Sequence, residues 1–508
     1  DRRLAEVAEV ALPQERRRAN GELHARAPAV LDDHGVDHAP ANGGDRLQHE
    51  GNRPSGPPAA PGPPLLTAVA VATAVAVANA AAFAARLQEL RQEGLRAKSA
   101  FAILLTFAGG CVTHHLRANL QGDWTEQLDR VLFGCLEQLA GGPLDAQQRL
   151  QTTLRLADGG CSFPSATQAA PAAYAASWAL LLNDVMTCLG ANSLEEFRAR
   201  CPRTQRTLDQ AEAVLRAADV LQAPFDWIGC TAEPQPKLQG HWGKAASAAN
   251  REKLLQAYDE DRRLRLRENG GTGAGSWLLP RQPGDPRQPD AHFCGNLKRR
   301  LCIPVCPTGS RCQHRRPDGS LCNEPLDPHG WHAVKCEVGA SRNNRHNSCR
   351  DWHSAKHREL TGFAAPTEQA VPAWDRRHPR TGVLQQAVLD LSTSDPANGR
   401  QIFIDWSITC VHSTYAPRRG ARAMKDGLAA AQAVEQKRER YPPRGGELVP
   451  LVFETGGRPS DEAASFVRSY GADLDDGDRS ELLGGLWRQI SRTLQRGNAE
   501  MLLSALGR

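Results

Sequence analysis

The stretch from Cys302 to Cys349 reads CIPVCPTGSRCQHRRPDGSLCNEPLDPHGWHAVKCEVGASRNNRHNSC, and the segments on either side of it are best interpreted from it. Six of the fourteen cysteines lie there, with four histidines and many arginines. Proline, glycine and aspartate separate these cysteines, which argues against an apolar core that buries them without a metal. Cysteines this dense, mixed with histidine and basic residues, indicate a metal held beside nucleic acid.

Zinc takes four sulfur or nitrogen ligands at tetrahedral positions, usually as two close pairs. The predicted zinc ligands are Cys312, Cys322, His332 and Cys336. The competing candidates are Cys306, His314 and His329, and the predicted bystanders include Cys302 and Cys349. The alternative interpretation is a group of unrelated core cysteines in a loop-rich segment.

The N-terminal part of the chain has the composition of a low-complexity segment. Residues 1–81 are predicted to form a mostly disordered leader, because Arg, Ala, Gly and Pro are plentiful and no apolar period is sustained over residues 1–64. The uncharged run from Leu65 to Ala85 is long enough for a membrane span, but it consists mostly of Ala and Val. It is therefore predicted to lead into a helix. The net charge of +5 is too small to indicate a polyanionic partner by itself.

Three further regions follow the leader. Residues 82–285 have apolar side chains at spacings of three and four, which predicts an α-helical region. It includes one charged helix from Lys244 to Glu268 and a flexible joint at NGGTGAGS, residues 269–276. Residues 286–349 hold a short basic helix and the Cys/His stretch. Residues 350–508 predict an α/β domain, so the fold class is α + α/β.

Within the α/β domain, strands are predicted at TEQAVPAW, QQAVLDLS, QIFIDWSIT and ELVPLVFET. A long helix is predicted from Arg418 to Tyr441, and two helices close the chain. Asp390 and Asp405 lie within apolar strands, where an unpaired carboxylate is costly. We expect both to bind one divalent cation, with Glu368 adding a third oxygen. Oxygen ligands favour Mg²⁺ or Mn²⁺.

Cationic side chains accompany these carboxylates. Lys437 on the long helix is expected to act at a phosphate, with Arg440 one turn further on. Immediately after the Cys/His stretch, a predicted helix carries residues expected to contact phosphates, namely Arg342, Arg345, His346, Arg350 and Lys356. The alternatives are a solvated helix face and aspartates that only end strands and cap turns.

The order of these parts resembles the C-terminal half of non-LTR retrotransposon proteins with a restriction-like endonuclease. Those proteins join a reverse transcriptase to a CCHC zinc knuckle and a nuclease of the PD-(D/E)xK class. The knuckle looks like the four predicted zinc ligands, and an RHN tripeptide matches Arg345, His346 and Asn347. The two motif acids fall on Asp390 and Asp405. Ser407 stands where the motif lysine is expected, and Lys437, ahead of Tyr441, fits the displaced lysine of this branch.

The resemblance implies a restriction-endonuclease-like α/β core, structural Zn²⁺ and Mg²⁺- or Mn²⁺-dependent nicking of DNA. It implies DNA and element RNA as partners, no membrane partner, cytoplasmic synthesis and a nuclear site of action. More loosely, FAGGCVTHHLRANL and AAYAASWAL resemble a thumb and connector. The polymerase signature is missing, so the chain is expected to be a fragment whose palm is lost or encoded elsewhere, and not to polymerise DNA.

Two further positions depart from the family pattern. Val388-Leu389 replaces the proline before Asp390, which is tolerable because that proline is not a ligand, and the bulky Trp406 is expected to crowd the site. The alternatives are a zinc-dependent nucleic-acid-binding module with an inactive nuclease core and a decayed element without function.

Overall fold

The computed structural model describes residues 65–120, 122–221, 224–232, 237–282, 287–378, 380–443 and 446–508. The chain divides into two compact units, residues 1–87 and 88–508. Helix α1 spans Leu65–Gln92, so a regular helix begins inside the segment predicted as leader. The predicted disorder of residues 1–64 lies outside the described residues. In the described part of the chain, no helix combines the length and apolar character that crossing a bilayer requires.

The region before the Cys/His stretch is helical, as predicted. Its helices are α2 Ala97–Ala118, α3 Asp123–Ala140, α4 Ala146–Thr153, α5 Ala166–Cys188, α6 Leu194–Arg200, α7 Pro202–Ala217, α8 Trp227–Ala232, α9 Leu238–Ala257, α10 Glu260–Glu268 and α11 Asp290–Arg300. Part of the core of this region lies between α5, α6, α7 and α9, where Phe197, Leu208 and Trp242 are buried.

The single helix predicted from Lys244 to Glu268 is wrong, because two helices meet there. Tyr258 is buried and its hydroxyl donates to Gln151 Oε1 at 2.9 Å, which draws the chain inward after α9. Asp259 then caps α10, since its carboxylate accepts the Arg262 amide N–H at 2.8 Å. The pattern of charged residues did not predict the break between α9 and α10, although aspartate, as at position 259, is a favoured N-cap residue.

The predicted flexible joint at residues 269–276 is also wrong, because its glycines are packed. Gly273 has a φ of +76°, and a Cβ there would lie 2.4 Å from the Trp487 ring. A Cβ on Gly275 would lie 2.9 Å from both Arg300 and Leu156. Glycine is therefore required for close approach, so the segment is a fixed turn.

Replacing Gly273 with alanine is expected to lower the free energy of unfolding by about 3 kcal/mol or more, since the methyl group meets Trp487 and the backbone is left-handed. Gly362→Ala is the matched control, because Gly362 has a φ of +72° with open space around its Cβ. The control should cost about 1 kcal/mol. Denaturant unfolding followed by circular dichroism measures both, and equal losses would contradict the packing explanation.

After the Cys/His stretch the chain is mixed α/β. The elements are α12 Trp331–Lys335, α13 Ser341–Thr361, β1 Thr367–Ala370, β2 Arg376–Arg377, β3 Leu384–Gln385, β4 Val388–Ser394, β5 Gln401–Thr409, α14 Ala416–Met424, α15 Leu428–Arg440, β6 Glu447–Glu454, α16 Asp461–Ser469 and α17 Asp476–Ala505. The main sheet has the order β1-β4-β5-β6, and β2 and β3 pair separately. Strand β4 pairs antiparallel with both β1 and β5, whereas β5 and β6 are parallel.

The long helix predicted from Arg418 to Tyr441 is divided in two. Gly427 adopts a φ of +68° between α14 and α15. Beside it, Asp426 accepts from Arg251 at 2.7 and 2.8 Å, and it also pairs with Arg267 and Arg458. Three guanidinium groups from distant segments hold this carboxylate, so tertiary ion pairs override the local helical pattern.

The two faces of the sheet pack differently. One face buries Ile402, Ile404 and Trp406 in a core with residues of α13, α16 and α17. On the other face, α15 packs on β6 through Ala430, Val434 and Val452. Because side chains alternate along a strand, Asp405 falls on the face opposite to Trp406.

Behind β5, a hydrogen-bonded chain of polar side chains crosses the core. Donors and acceptors alternate in one direction, from Trp406 Nε1 to His353 (3.0 Å), Tyr470 (2.9 Å), His357 (2.7 Å), Thr393 (2.7 Å) and the Ala364 carbonyl (2.9 Å). This order satisfies every ring nitrogen when both imidazoles are neutral. Burial lowers the pKa of His353 to about 3 and that of His357 to about 4.

The histidine pair predicts acid sensitivity. At pH values below 6.5, the ordinary pKa of histidine, the imidazoles are protonated in the unfolded chain but stay neutral in the folded chain. The free energy of unfolding therefore falls as the pH falls. Each ring should contribute a loss of about 3 kcal/mol near pH 4. His357→Asn keeps an oxygen acceptor for Tyr470 but removes one titrating ring. The stability difference between wild type and variant should therefore shrink by about 3 kcal/mol from pH 7 to pH 4 in urea titrations. A pH-independent difference would contradict this.

Candidate functional site

The Cys/His stretch brings together a group of four side chains that can bind zinc: Cys312, Cys322, His332 and Cys336. Their ligand atoms all lie within 4.8 Å of one another. The Cys336 sulfur is 3.8 Å from that of Cys312 and 3.6 Å from that of Cys322, and His332 Nε2 is 3.5 Å from the Cys322 sulfur. Tetrahedral Zn–S bonds of about 2.3 Å would separate two sulfurs by about 3.8 Å. These separations are therefore compatible with a tetrahedral zinc site formed by the four side chains.

Local structure positions the two ligand pairs. Cys312 and Cys322 lie on a hairpin, in which the Cys322 N–H donates to the His314 carbonyl at 2.7 Å. His332 and Cys336 lie one turn apart on and after α12, whose first turn is capped by Asp327 through amide N–H groups at 2.9 and 2.8 Å. Hairpin and helix thus each supply one pair.

Burial raises the pKa of Cys336 to about 12, so a cation is needed to hold its thiolate. Of the competing candidates, His314 contacts the group: its Nδ1 is 3.4 Å from the Cys312 sulfur, although it is not one of the four clustered ligands. Cys306 packs beside the group in an apolar cluster with Leu502 and Ala505 of α17.

A second group of charged residues lies on the sheet face that α15 covers. The register of β4 and β5 pairs Leu391 with Ile404, so continuing it by one residue places Asp390 opposite Asp405. Both side chains are largely buried, and the Asp405 carboxylate pairs with the Lys437 ammonium from α15. Like charges directly opposite each other are destabilising in a sheet.

Lys437 partly offsets this repulsion. Burial, opposed by Lys437, raises the pKa of Asp405 to about 6, and the neighbouring Asp390 carboxylate adds to the rise. Burial also disfavours ionisation of Asp390, but His346 outweighs it and lowers the pKa of that carboxyl. The Asp390 carboxylate accepts the Trp406 amide N–H at 2.6 Å as well. Carboxylate oxygens are among the ligands that Mg²⁺ and Mn²⁺ prefer.

His346 belongs to this group rather than to an exposed surface. Its Nε2 lies 3.2 Å from both Asp390 Oδ2 and the Trp406 carbonyl, so Nε2–H donates to them. Its Nδ1 lies 3.3 Å from the Asn347 side-chain oxygen. Burial opposes protonation of His346, but Asp390 raises its pKa. The sequence did not reveal this contact, since 44 residues separate His346 from Asp390.

The expectation that Trp406 crowds the carboxylates is wrong. Its ring points to the opposite face, where it stacks on Phe453 with centroids 4.9 Å apart. Strand alternation explains the difference, because Trp406 and Asp405 are consecutive. Ser407, two residues after Asp405, returns to the carboxylate face.

Glu368 does not join the aspartates. The register of β1 and β4 places it opposite Asp390, but its φ of +53° departs from strand geometry. Its carboxylate instead pairs with Arg350 at 2.7 Å. Among the described residues, no trio of carboxylates within 4.8 Å of one another was found here. The third metal oxygen expected from Glu368 is therefore missing from this arrangement.

Two of the predicted phosphate contacts are turned inward. Arg345 is only 3% exposed and donates to the Val334 carbonyl at 3.1 Å and to Asn498 at 2.6 Å. Arg350 is buried between Asp351 and Glu368. These placements correct the prediction that both contact phosphates. Arg345 instead fastens the Cys/His stretch to α17.

The remaining predicted contacts differ in their surroundings. Lys356 pairs with Glu359 on its own helix, and Arg440 donates to the Trp374 carbonyl at 2.6 Å, so both already have partners. Arg342 is exposed and pairs with Glu337. It also lines a cleft of about 400 Å³, the basic cleft, whose walls are Arg342, Asn343, Arg345, His346, Ser407 and Ile408. The basic cleft therefore reaches the carboxylate group through His346 and Ser407.

Comparison with known proteins assigns no family to the chain. No protein-family model matches the sequence. No curated protein matches it significantly.

Proposed function

We propose that the chain is a zinc-knuckle nucleic-acid-binding protein with a Mg²⁺- or Mn²⁺-dependent DNA-nicking endonuclease core of the PD-(D/E)xK class. The resemblance to non-LTR retrotransposon proteins motivates the class, with DNA and element RNA as partners and the nucleus as the site of action. One observation carries the proposal: Asp390 and Asp405 face each other across β4 and β5, and Lys437 from a separate helix contacts Asp405.

The donor set fits a divalent metal ion. Asp390 and Asp405 would hold it, because two carboxylates that face each other repel, and a divalent cation between them would relieve that repulsion. A bound ion would activate water and neutralise charge on a phosphodiester. His346 would remain close enough to Asp390 to orient that carboxylate or hold a proton beside it.

The positive side chains have separate roles. Lys437 fixes Asp405 before substrate binds and can then stabilise charge that develops on the phosphate. The basic cleft would admit the strand, with Arg342 at its exposed edge. The knuckle would hold α13 in place, since Arg345 donates to the Val334 carbonyl of α12.

Plasmid nicking tests the activity. Wild-type protein loaded with zinc should convert supercoiled plasmid to open circles when Mg²⁺ or Mn²⁺ is added, and not with Ca²⁺ alone. Ca²⁺ prefers more ligands and longer bonds than this small donor set offers. Tight DNA binding without nicking in any metal would favour the binding module with an inactive core. The proposal would be refuted if the protein neither bound nor nicked DNA.

A further inference from the structure

A short hairpin, formed by β2 and β3, has both of its faces open to solvent. Arg376 pairs with Gln385 and Arg377 pairs with Leu384 in antiparallel register. Because cross-strand partners share a face and consecutive residues alternate, Arg376 and Arg377 lie on opposite faces of the ribbon. Both arginines and Leu384 are exposed. The hairpin is therefore a ribbon that projects from the α/β domain.

The positive charge of the hairpin is not offset within its own segment. Residues 376–389 contain three arginines and no acidic residue. Arg376 donates to the Gln385 side-chain oxygen at 3.3 Å, and Arg377 donates to the Gly382 carbonyl at 3.1 Å. Both acceptors are uncharged, so these contacts orient the side chains and leave their charge in place. Each face of the ribbon therefore presents a guanidinium group.

Two apolar side chains are exposed on the strand opposite these arginines. Val383 is 62% exposed and Leu384 is 53% exposed. The His378 amide N–H donates to the Val383 carbonyl at 2.8 Å, which continues the pairing of the strands toward the turn. Since Val383 and Leu384 are consecutive, each face of the ribbon carries one apolar side chain beside its arginine. Adjacent apolar side chains that remain in water favour a contact surface.

The base of the hairpin is attached beside the carboxylate group. Arg440 of α15 donates to the Gln385 backbone carbonyl at 3.4 Å. One turn earlier on the same helix, Lys437 pairs with Asp405. Gln385 precedes Asp390 by only five residues in the sequence. Their Cα atoms are therefore at most about 18 Å apart, and the hairpin extends from the part of the domain that holds the carboxylates.

We propose that the β2–β3 hairpin enters the major groove of duplex DNA and positions one strand toward the carboxylate group. The major groove of B-form DNA, about 12 Å wide, admits a two-stranded ribbon, whereas that of A-form RNA is too narrow. A ribbon in the groove has a phosphate backbone on each side, which matches one arginine on each face. Its apolar side chains would contact thymine methyl groups. This inference rests on the proposed function for its ligand, but not on cleavage.

Binding to duplex DNA without divalent cations tests the arginines. Arg377→Gln should weaken binding, and it should lower the slope of log binding constant against log salt by about 1, because one phosphate contact is lost. Arg496→Gln is the charge-matched control on α17, where Arg496 pairs with Glu500. The control should keep both the affinity and the slope of wild type.

The apolar side chains are tested by replacing Val383 and Leu384 together with serine. This variant should bind duplex DNA about tenfold more weakly with an unchanged salt slope, since it loses apolar contact and no charge. The matched control replaces Leu180 and Leu181 of α5, which are 50% and 53% exposed, with serine. Binding to an RNA duplex of the same sequence should be equal in all variants. Arg377→Gln decides the outcome if the serine pair lowers the melting temperature.

The outcomes distinguish the hairpin from the nuclease. If wild type nicks plasmid and the hairpin variants bind DNA as their controls do, the hairpin proposal is overturned and the nuclease stands. If the variants lose DNA binding and wild type does not nick, the hairpin is supported and the nuclease core is inactive. Equal losses on DNA and RNA duplexes would contradict entry into the major groove. A wild-type protein that binds no DNA overturns both proposals.

Discussion

Asp405→Asn should reduce plasmid nicking by about a thousandfold or more, which corresponds to about 4 kcal/mol of lost transition-state stabilisation. The amide cannot supply the negative oxygen that a metal ion needs. It can, however, still accept from Lys437 through its oxygen and donate its N–H groups toward the Asp390 carboxylate that faces it. The variant should therefore remain folded while losing activity, which separates chemistry from stability.

The matched control is Asp395→Asn in the turn between β4 and β5. The Asp395 side-chain oxygen accepts the Ala397 N–H at 2.7 Å, a contact that an asparagine oxygen preserves. Nicking rates of the control should equal those of wild type. If Asp405→Asn and wild type nick at the same rate, the metal assignment to Asp405 fails.

The second large effect concerns zinc. Structural zinc contributes about 10–16 kcal/mol to the folding of zinc-finger peptides, so its removal should unfold the knuckle. Cys336→Ser removes a ligand that contacts two other sulfurs of the group. We expect this variant to lose the bound zinc found by native mass spectrometry and to become sensitive to protease between residues 312 and 336.

The consequence should extend beyond the knuckle. Ala333 and Cys336 pack with Leu502 and Ala505 of α17, and the Val334 carbonyl accepts from Arg345. Loss of zinc should therefore also lower nicking by displacing His346, the neighbour of Arg345. Cys188→Ser provides the control, because Cys188 is an exposed thiol outside the group. A Cys336→Ser protein that retains one zinc and wild-type protease resistance would contradict the assignment.

The sequence was informative where a local pattern determines structure. Alternation of apolar residues identified β4, β5 and β6 and placed Asp390 and Asp405 within strands. The spacing of cysteine and histidine also selected the four side chains that cluster. Both the strand alternation and the Cys/His spacing depend on residues that lie close together in the sequence.

Long-range contacts account for what the sequence did not reveal. The end of α9 depends on Tyr258 reaching Gln151, and the break after α14 depends on arginines that meet Asp426. The basic residues of α13 were predicted to contact phosphates, but packing of α13 on α17 buries Arg345. The number of basic residues in a segment gives its charge, but it does not predict which face of the helix is exposed to solvent.

The alternation of β5 restricts how this segment can change in evolution. Asp405 serves the carboxylate group, while Trp406 anchors the buried histidines on the reverse face. Insertion or deletion of a single residue upstream in the strand would exchange these faces, putting an indole at Lys437 and a carboxylate into the apolar core. Deletion scanning should therefore find β5 intolerant of length changes, whereas the turn before it, residues 395–400, should accept them. The segment can diverge by substitution but not by changes in length.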